Sequence, residues 1–276
     1  MSTETGDRAA SGRGAEHAAR RGFGVAAGLD PEVAGPLAAR CAELAYESVW
    51  SNDHPAANGL ETLAAFAEAA PGIDLGVAVM ALDRHEPAAI AAKIDELGLD
   101  RGRLWIGVGA GFSEKPLSKM REALPELRDA LDGVRLALAA MGPKMSAFGG
   151  AEFDAVFTNW MTPESAATAR ERVHAGARDA GREPPPMLGY VRAAVGPDAA
   201  ERLAKEESFY RDLHDGYRNH FARIGEPQGT VGVAAPDGEQ AQRELERYSA
   251  LDVVVVRGLA SANVAAMTAL AEATAP

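Results

Sequence analysis

Short apolar runs recur along the chain at 23–28, 48–52, 73–80, 103–109, 134–141, 154–159, 187–195 and 252–256, and a longer amphipathic segment follows each one. A strand period giving way to a helix period, eight times over, predicts an α/β protein of the (β/α)8 or TIM barrel type. The punctuation agrees. Asp30-Pro31 and Thr162-Pro163 each set a capping side chain before a proline at the first helical position. Gly181 and Pro184-Pro185-Pro186 stop the sixth helix ahead of strand seven, and Val253-Val254-Val255-Val256 is apolar on both faces, as a strand covered outside and filled inside must be. Gly142-Pro143 turns the chain from strand five into a short helix whose first amides face the barrel mouth, an arrangement that attracts anions.

The length of 276 residues is close to the roughly 250 of one such domain. The expected division is a disordered arm over 1–21, which is poor in large apolar side chains, and a single barrel domain over 22–276. With 28 basic and 40 acidic side chains the net charge is -12, which argues against nucleic acid or anionic lipid as a partner. No apolar run approaches the roughly 18 residues of a membrane span. The one cysteine, Cys41, excludes an intrachain disulfide and fits a cytoplasmic protein; it reads as a small buried apolar residue. Arg20-Arg21 matches the arginine pair of a twin-arginine export signal, but a core strand follows it where a removable apolar segment would stand, so export is not expected.

Enzymes of this fold assemble their sites at the carboxyl ends of the strands, where His54 follows strand two. A histidine there suits acid/base work in alcohol oxidation or carbonyl reduction, or else caps a helix in solvent. Asp53 either orients that imidazole or caps the next helix. The run Gly107-Val108-Gly109-Ala110-Gly111 lacks the third glycine of a dinucleotide-binding turn; Gly109 and Gly111 instead suit close approach of a flat ring or a phosphate to the backbone. Arg192 within strand seven and Arg257 after strand eight are candidates for a substrate anion, with a surface ion pair as the other reading of Arg257. Tyr210, His214, Tyr217 and Phe221 repeat at helical spacing and either pack on the barrel or cover its mouth. His214 and His220 lie on different helix faces with no further ligand, so no metal is expected.

Taken together, several segments resemble the luciferase-like flavin- and deazaflavin-dependent oxidoreductases over residues 22–258. They are Ser48 to His54, Ile73 to Val79, Arg101 to Gly111, Ala139 to Pro143 and Asp154 to Trp160. Within that family the chain is most similar to the actinobacterial members that use coenzyme F420, a 5-deazaflavin. The resemblance implies a bacterial luciferase-like barrel that transfers hydride between the deazaflavin and a small organic substrate, and a homodimer. It implies that Asp53 and His54 face the cofactor ring, with His54 moving the proton, and that Ala78-Val79 forms a cis, bulged step behind the ring. Met141, Gly142 and Thr158 would hold the cofactor phosphate. Two departures stand out. Phe112 and Asn58 occupy places where some sugar-phosphate dehydrogenases of the family carry a carboxylate and a tryptophan, and residues 112–133 form a shorter connection than the family's usual insertion. Sugar-phosphate oxidation is therefore not expected. An FMN-dependent monooxygenase and a catalytically idle flavin-binding protein are the alternative readings.

Overall fold

The computed structural model describes residues 19–276. The expected disordered arm lies outside the described residues except at its end, and there the structure corrects it. Strand β1 runs Arg20–Val25, so the barrel begins with the two arginines; they pair with Val253 and Val254. Arg21 is buried on the outward face of the strand, beneath the helices, and Arg20 reaches the Glu47 carboxylate at 3.1 Å.

The other strands are β2 (Ser48–Ser51), β3 (Asp74–Ala81), β4 (Leu104–Gly109), β5 (Arg135–Ala139), β6 (Ala155–Asn159), β7 (Met187–Val195), β8 (Val233–Ala235) and β9 (Val253–Gly258). All pair in parallel, and β1 to β7 with β9 close into an eight-stranded ring. The short β8 was not foreseen, and register explains it. Along one edge, β7 pairs with β6 only as far as Tyr190, and Ala193–Val195 would otherwise be left with open backbone groups. β8 takes those groups.

Helices α1 (Pro31–Glu43), α2 (Gly59–Ala69), α3 (Pro87–Glu96), α4 (Pro116–Ala130), α5 (Pro143–Glu152) and α6 (Pro163–Asp179) follow the first six strands. α7 (Ala199–Leu213) and α8 (Asp215–Ile224) follow β7, then α9 (Gly238–Glu246) and α10 (Val264–Ala273). The expected caps are present: Asp30 accepts the Glu32 amide at 2.8 Å, and Thr162 forms a capping box with Ser165. The aromatic stripe, however, is not one helix. His214 is extended, and its Nδ1 accepts the Gly216 amide at 2.9 Å as the cap of α8. Buried Glu207 fixes the segment beyond α8 by accepting the amides of Gly229 at 2.9 Å and Val231 at 3.1 Å.

Strand alternation divides the apolar side chains into two sets. One fills the layer between strands and helices; the other, including Trp50, Phe157 and Tyr190, fills the ring itself. The Phe157 ring lies 5.0 Å from Trp50 and 4.8 Å from Tyr190, centre to centre. Glycines on neighbouring strands admit these rings. A Cβ on Gly76 would stand 2.2 Å from the Trp50 ring, and one on Gly24 would stand 2.7 Å from Tyr190. At the amino end of the ring Asp74 accepts from Arg135 at 2.7 Å and from the Trp105 indole at 3.1 Å, a fixed base far from the carboxyl ends.

Candidate functional site

The corner where β2 and β3 end separates the two residues that the sequence sets side by side. The Asp53 side chain is 1% exposed and turns away from its neighbour. One oxygen accepts the amide of Gly59, the first residue of α2, at 3.0 Å; the other meets the Arg84 guanidinium and lies 2.9 Å from His85 Nε2. Of its two sequence readings neither holds as stated: its partners are not the His54 ring, and it engages the first amide of α2 without being that helix's cap. His54 stays at the rim. Its Nδ1 accepts the Ala56 amide at 3.2 Å, and its own backbone bridges to Ala57. An imidazole whose Nδ1 accepts carries its hydrogen on Nε2, which leaves a hydrogen-bond donor at the rim. Asn58, at one of the departures from the family pattern, caps α2 by accepting the Leu60 amide at 2.9 Å.

On β3 the peptide joining Ala78 to Val79 is cis, and the register against β4 shifts between Ala78 and Met80. The form implied by the resemblance is therefore present. Val79 is partly exposed and leans on Gly109, where a Cβ would come within 2.9 Å of its methyl group. Gly111 serves the chain itself. Its φ is +63°, and a Cβ would collide with the Asp83 carboxylate at 2.1 Å, which accepts the Phe112 amide at 2.9 Å. The space that the sequence reading reserved for a ligand at Gly111 holds Asp83. Phe112 is 62% exposed, with its ring 4.8 Å from that of His214.

Beyond β5, Gly142 precedes α5, no side chain caps the helix, and a Cβ on Gly142 would meet open space. The Met141 carbonyl is occupied, accepting from Arg223 at 2.8 Å. His220 Nδ1 lies 3.1 Å from the Arg223 guanidinium and 3.2 Å from the Met141 carbonyl, and its Nε2 lies 2.8 Å from the Trp160 carbonyl. Burial lowers the His220 pKa and keeps the ring neutral. Thr158 does not reach the mouth. Phe157 and Asn159 point into the ring, so Thr158 points out; it is 1% exposed, and its hydroxyl donates to the Leu188 carbonyl at 3.2 Å. Alternation thus takes Thr158 away from Met141 and Gly142.

Inside the upper barrel Arg192 is 2% exposed and Arg257 7%. The register pairs them directly across β7 and β9. Arg192 donates to Asn159 Oδ1, and its guanidinium lies 4.2 Å from the Trp160 ring and 4.9 Å from Tyr210. Asn159 donates in turn to the Tyr217 hydroxyl at 3.2 Å, and burial pushes that phenol up to about 12. Arg257 donates to the Gly258 carbonyl at 3.0 Å, so its surface-pair reading fails. The Tyr217 ring lies 5.0 Å from that of Tyr210 and 4.9 Å from that of His214, above this cluster. The aromatic residues of α7 and α8 therefore both pack and cover. Among the described residues no group of three or more His, Cys, Asp or Glu is placed to hold a metal ion.

A model of the luciferase-like monooxygenase family matches residues 14–138 and 124–272. The chain belongs to that family. This luciferase-like protein is 26% identical over 193 residues to a 5,10-methylenetetrahydromethanopterin reductase of Methanolobus tindarius, a match taking in 56% of this chain and 59% of the relative. The chain thus spans less than two thirds of that relative's length. Its fold is that of an F420-dependent secondary alcohol dehydrogenase in complex with an F420-acetone adduct, with a TM-score of 0.73, 17% identity, and coverage of 93% of this chain and 98% of the other. It is also that of the oxygenating constituent of 3,6-diketocamphane monooxygenase of Pseudomonas putida in complex with FMN, with a TM-score of 0.66, 13% identity, and coverage of 94% and 99%.

Four residues at the luciferase-like barrel's mouth or in the ring beneath it escape the sequence reading: His85, Asn159, Trp160 and Tyr190. Asn159 and Tyr190 were within reach, since each lies two positions along a strand from an inward residue, Phe157 or Arg192. Trp160 has φ of +55°, a left-handed conformation uncommon outside glycine, and sequence carries no sign of it. His85 meets Asp53 only through the fold.

Proposed function

We propose that this protein is an F420-dependent oxidoreductase of the luciferase-like family, acting on a small organic substrate with His54 as the proton donor or acceptor. The observation that carries the reading is the state of His54, at the end of β2, with Nδ1 engaged by the Ala56 amide. That bond aligns the ring and leaves Nε2–H to hydrogen-bond a substrate oxygen. Giving a proton to the oxygen of a carbonyl being reduced would use the imidazolium form, in which Nδ1 releases the Ala56 amide, and taking one from an alcohol would use the tautomer with Nε2 bare. Likeness in fold to the F420-dependent alcohol dehydrogenase supports the choice of cofactor.

The mouth suits a planar ring with an anionic tail in two respects. Val79 offers a partly exposed apolar wall, and open space adjoins Gly142 at the uncapped start of α5, where aligned amides favour negative charge. When bound, a deazaflavin supplies hydride donation or acceptance at its C5. Val79 and Gly109 would back the ring; the amides after Gly142, with Met141 beside them, would hold the tail. Asp53 serves the site by holding α2, Arg84 and His85 in place. The protein works as a cytoplasmic homodimer in this reading, and sedimentation analysis of the purified chain would test the dimer.

The likeness to the FMN-bound oxygenating constituent favours a second reading, an FMN-dependent monooxygenase. Titration with F420 and with FMN in parallel, followed by tryptophan fluorescence, tells the two apart. F420 is expected to bind at least about tenfold tighter, a difference of about 1.4 kcal/mol. Tight FMN binding with no response to F420 would overturn the F420 reading, and binding of either without turnover on any alcohol or carbonyl substrate would favour an idle flavin-binding protein.

A further inference from the structure

The upper barrel holds a surplus of hydrogen-bond donors. Arg192 Nε, the Tyr190 hydroxyl and Trp160 Nε1 are all buried without a partner. Arg192 has one side-chain acceptor, Asn159, and Arg257 has the Gly258 carbonyl of its own strand. No carboxylate pairs with either guanidinium among the described residues; the charge of Glu206 acts on Arg257 only through space. The two arginines arise from paired positions on adjacent strands, whose spacing is about 4.8 Å, and both side chains enter the ring. Two cations buried side by side are costly unless negative charge joins them. Burial, and after it the neighbouring charge of Arg192, lowers the readiness of Arg257 to hold its proton. Burial pushes the Tyr190 and Tyr217 phenols beside them up, so neither supplies negative charge near neutral pH.

We propose that Arg192, Arg257 and Tyr190 form a recognition pocket for an anionic group, carboxylate or phosphate, carried by the substrate. The chemistry selects the ligand. A planar guanidinium presents paired N–H donors that match two oxygens of a carboxylate or phosphate, and the Tyr190 hydroxyl supplies a further donor from two positions below Arg192 on the same strand. Trp160 and Tyr210 stack on the Arg192 guanidinium and hold its plane, which prepares it for bidentate contact. The substrate class that follows is an alcohol or carbonyl compound bearing an acidic group, as opposed to a neutral secondary alcohol. The inference rests on the proposed oxidoreductase reading only in calling the ligand a substrate.

The test is calorimetric titration with acetate and with inorganic phosphate at low ionic strength, on the protein alone and saturated with F420. The parent, Arg257→Gln and Arg257→Lys are compared, each checked for native circular dichroism. One anion is expected to bind the parent in both states, about tenfold or more weaker to Arg257→Gln and with partial recovery in Arg257→Lys, while F420 affinity stays the same in all three. Anion binding that is absent from the parent, or unchanged in folded Arg257→Gln, overturns the pocket. Phosphate that competes with F420, together with F420 binding weakened by Arg257→Gln, overturns the substrate assignment, because the cofactor's tail would then be the occupant. Failure of F420 to bind while anion binding is still lost in Arg257→Gln supports the pocket and removes the F420 reading alone.

Discussion

Replacing Asp53 separates an anchoring role from a ligand-binding one. In Asp53→Ala the Gly59 amide at the start of α2 loses its acceptor in a buried position, at a cost of about 1–3 kcal/mol. Arg84 and His85 lose their common partner as well; both are partly exposed, so water replaces most of that attraction and the added cost is about 1 kcal/mol. The sum, about 2–4 kcal/mol, should lower the thermal midpoint by about 4–12 °C in a domain of this size. Asp53→Asn keeps an oxygen for Gly59 and loses only the charge, so it should fall between the parent and the alanine variant. Urea unfolding followed by circular dichroism measures the free energies, and calorimetry the midpoints. An alanine variant within about 0.5 kcal/mol of the parent would refute the anchoring argument and return Asp53 to the cofactor.

Three further outcomes follow from the geometry. His54→Ala should lower turnover about 10²- to 10⁴-fold with little change in cofactor affinity, and His54→Asn, which can still accept the Ala56 amide, should be nearly as slow; parent-like turnover in both would make His54 a loop cap. Thr158→Val should leave F420 affinity unchanged in a binding titration and cost about 1 kcal/mol in urea unfolding, because the hydroxyl serves Leu188; weaker F420 binding would contradict its outward placement. His220 has a folded pKa below its ordinary 6.5, so the stability it contributes is present above that value and is lost as pH falls towards the folded pKa. Midpoints measured between pH 7.5 and 5 should therefore drop more in the parent than in His220→Gln, and parallel profiles would show that the ring does not remain neutral in the fold.

The fold was legible because a barrel strand must be apolar on both faces, and this marks it even in a single sequence. What escaped was structure fixed by edges and by burial against expectation. β8 is only Val233–Ala235, too short for a period, and exists because β7 outruns β6. Arg21 looks like part of a polar arm, yet it is buried on the helix side of β1. At the site, Arg192 and Arg257 could be nominated from their places on the strands. Thr158 could have been removed by the same alternation that brings Asn159 and Tyr190 inward. The partnership of Asp53 with His85 spans the β2 and β3 corners, and no local spacing announces it.

The aromatic stack of Trp50, Phe157 and Tyr190 makes the barrel a cup with a solid floor. A cup has one doorway. Whatever reaches the arginines must come past the rim that α7 and α8 overhang, and must go back the same way.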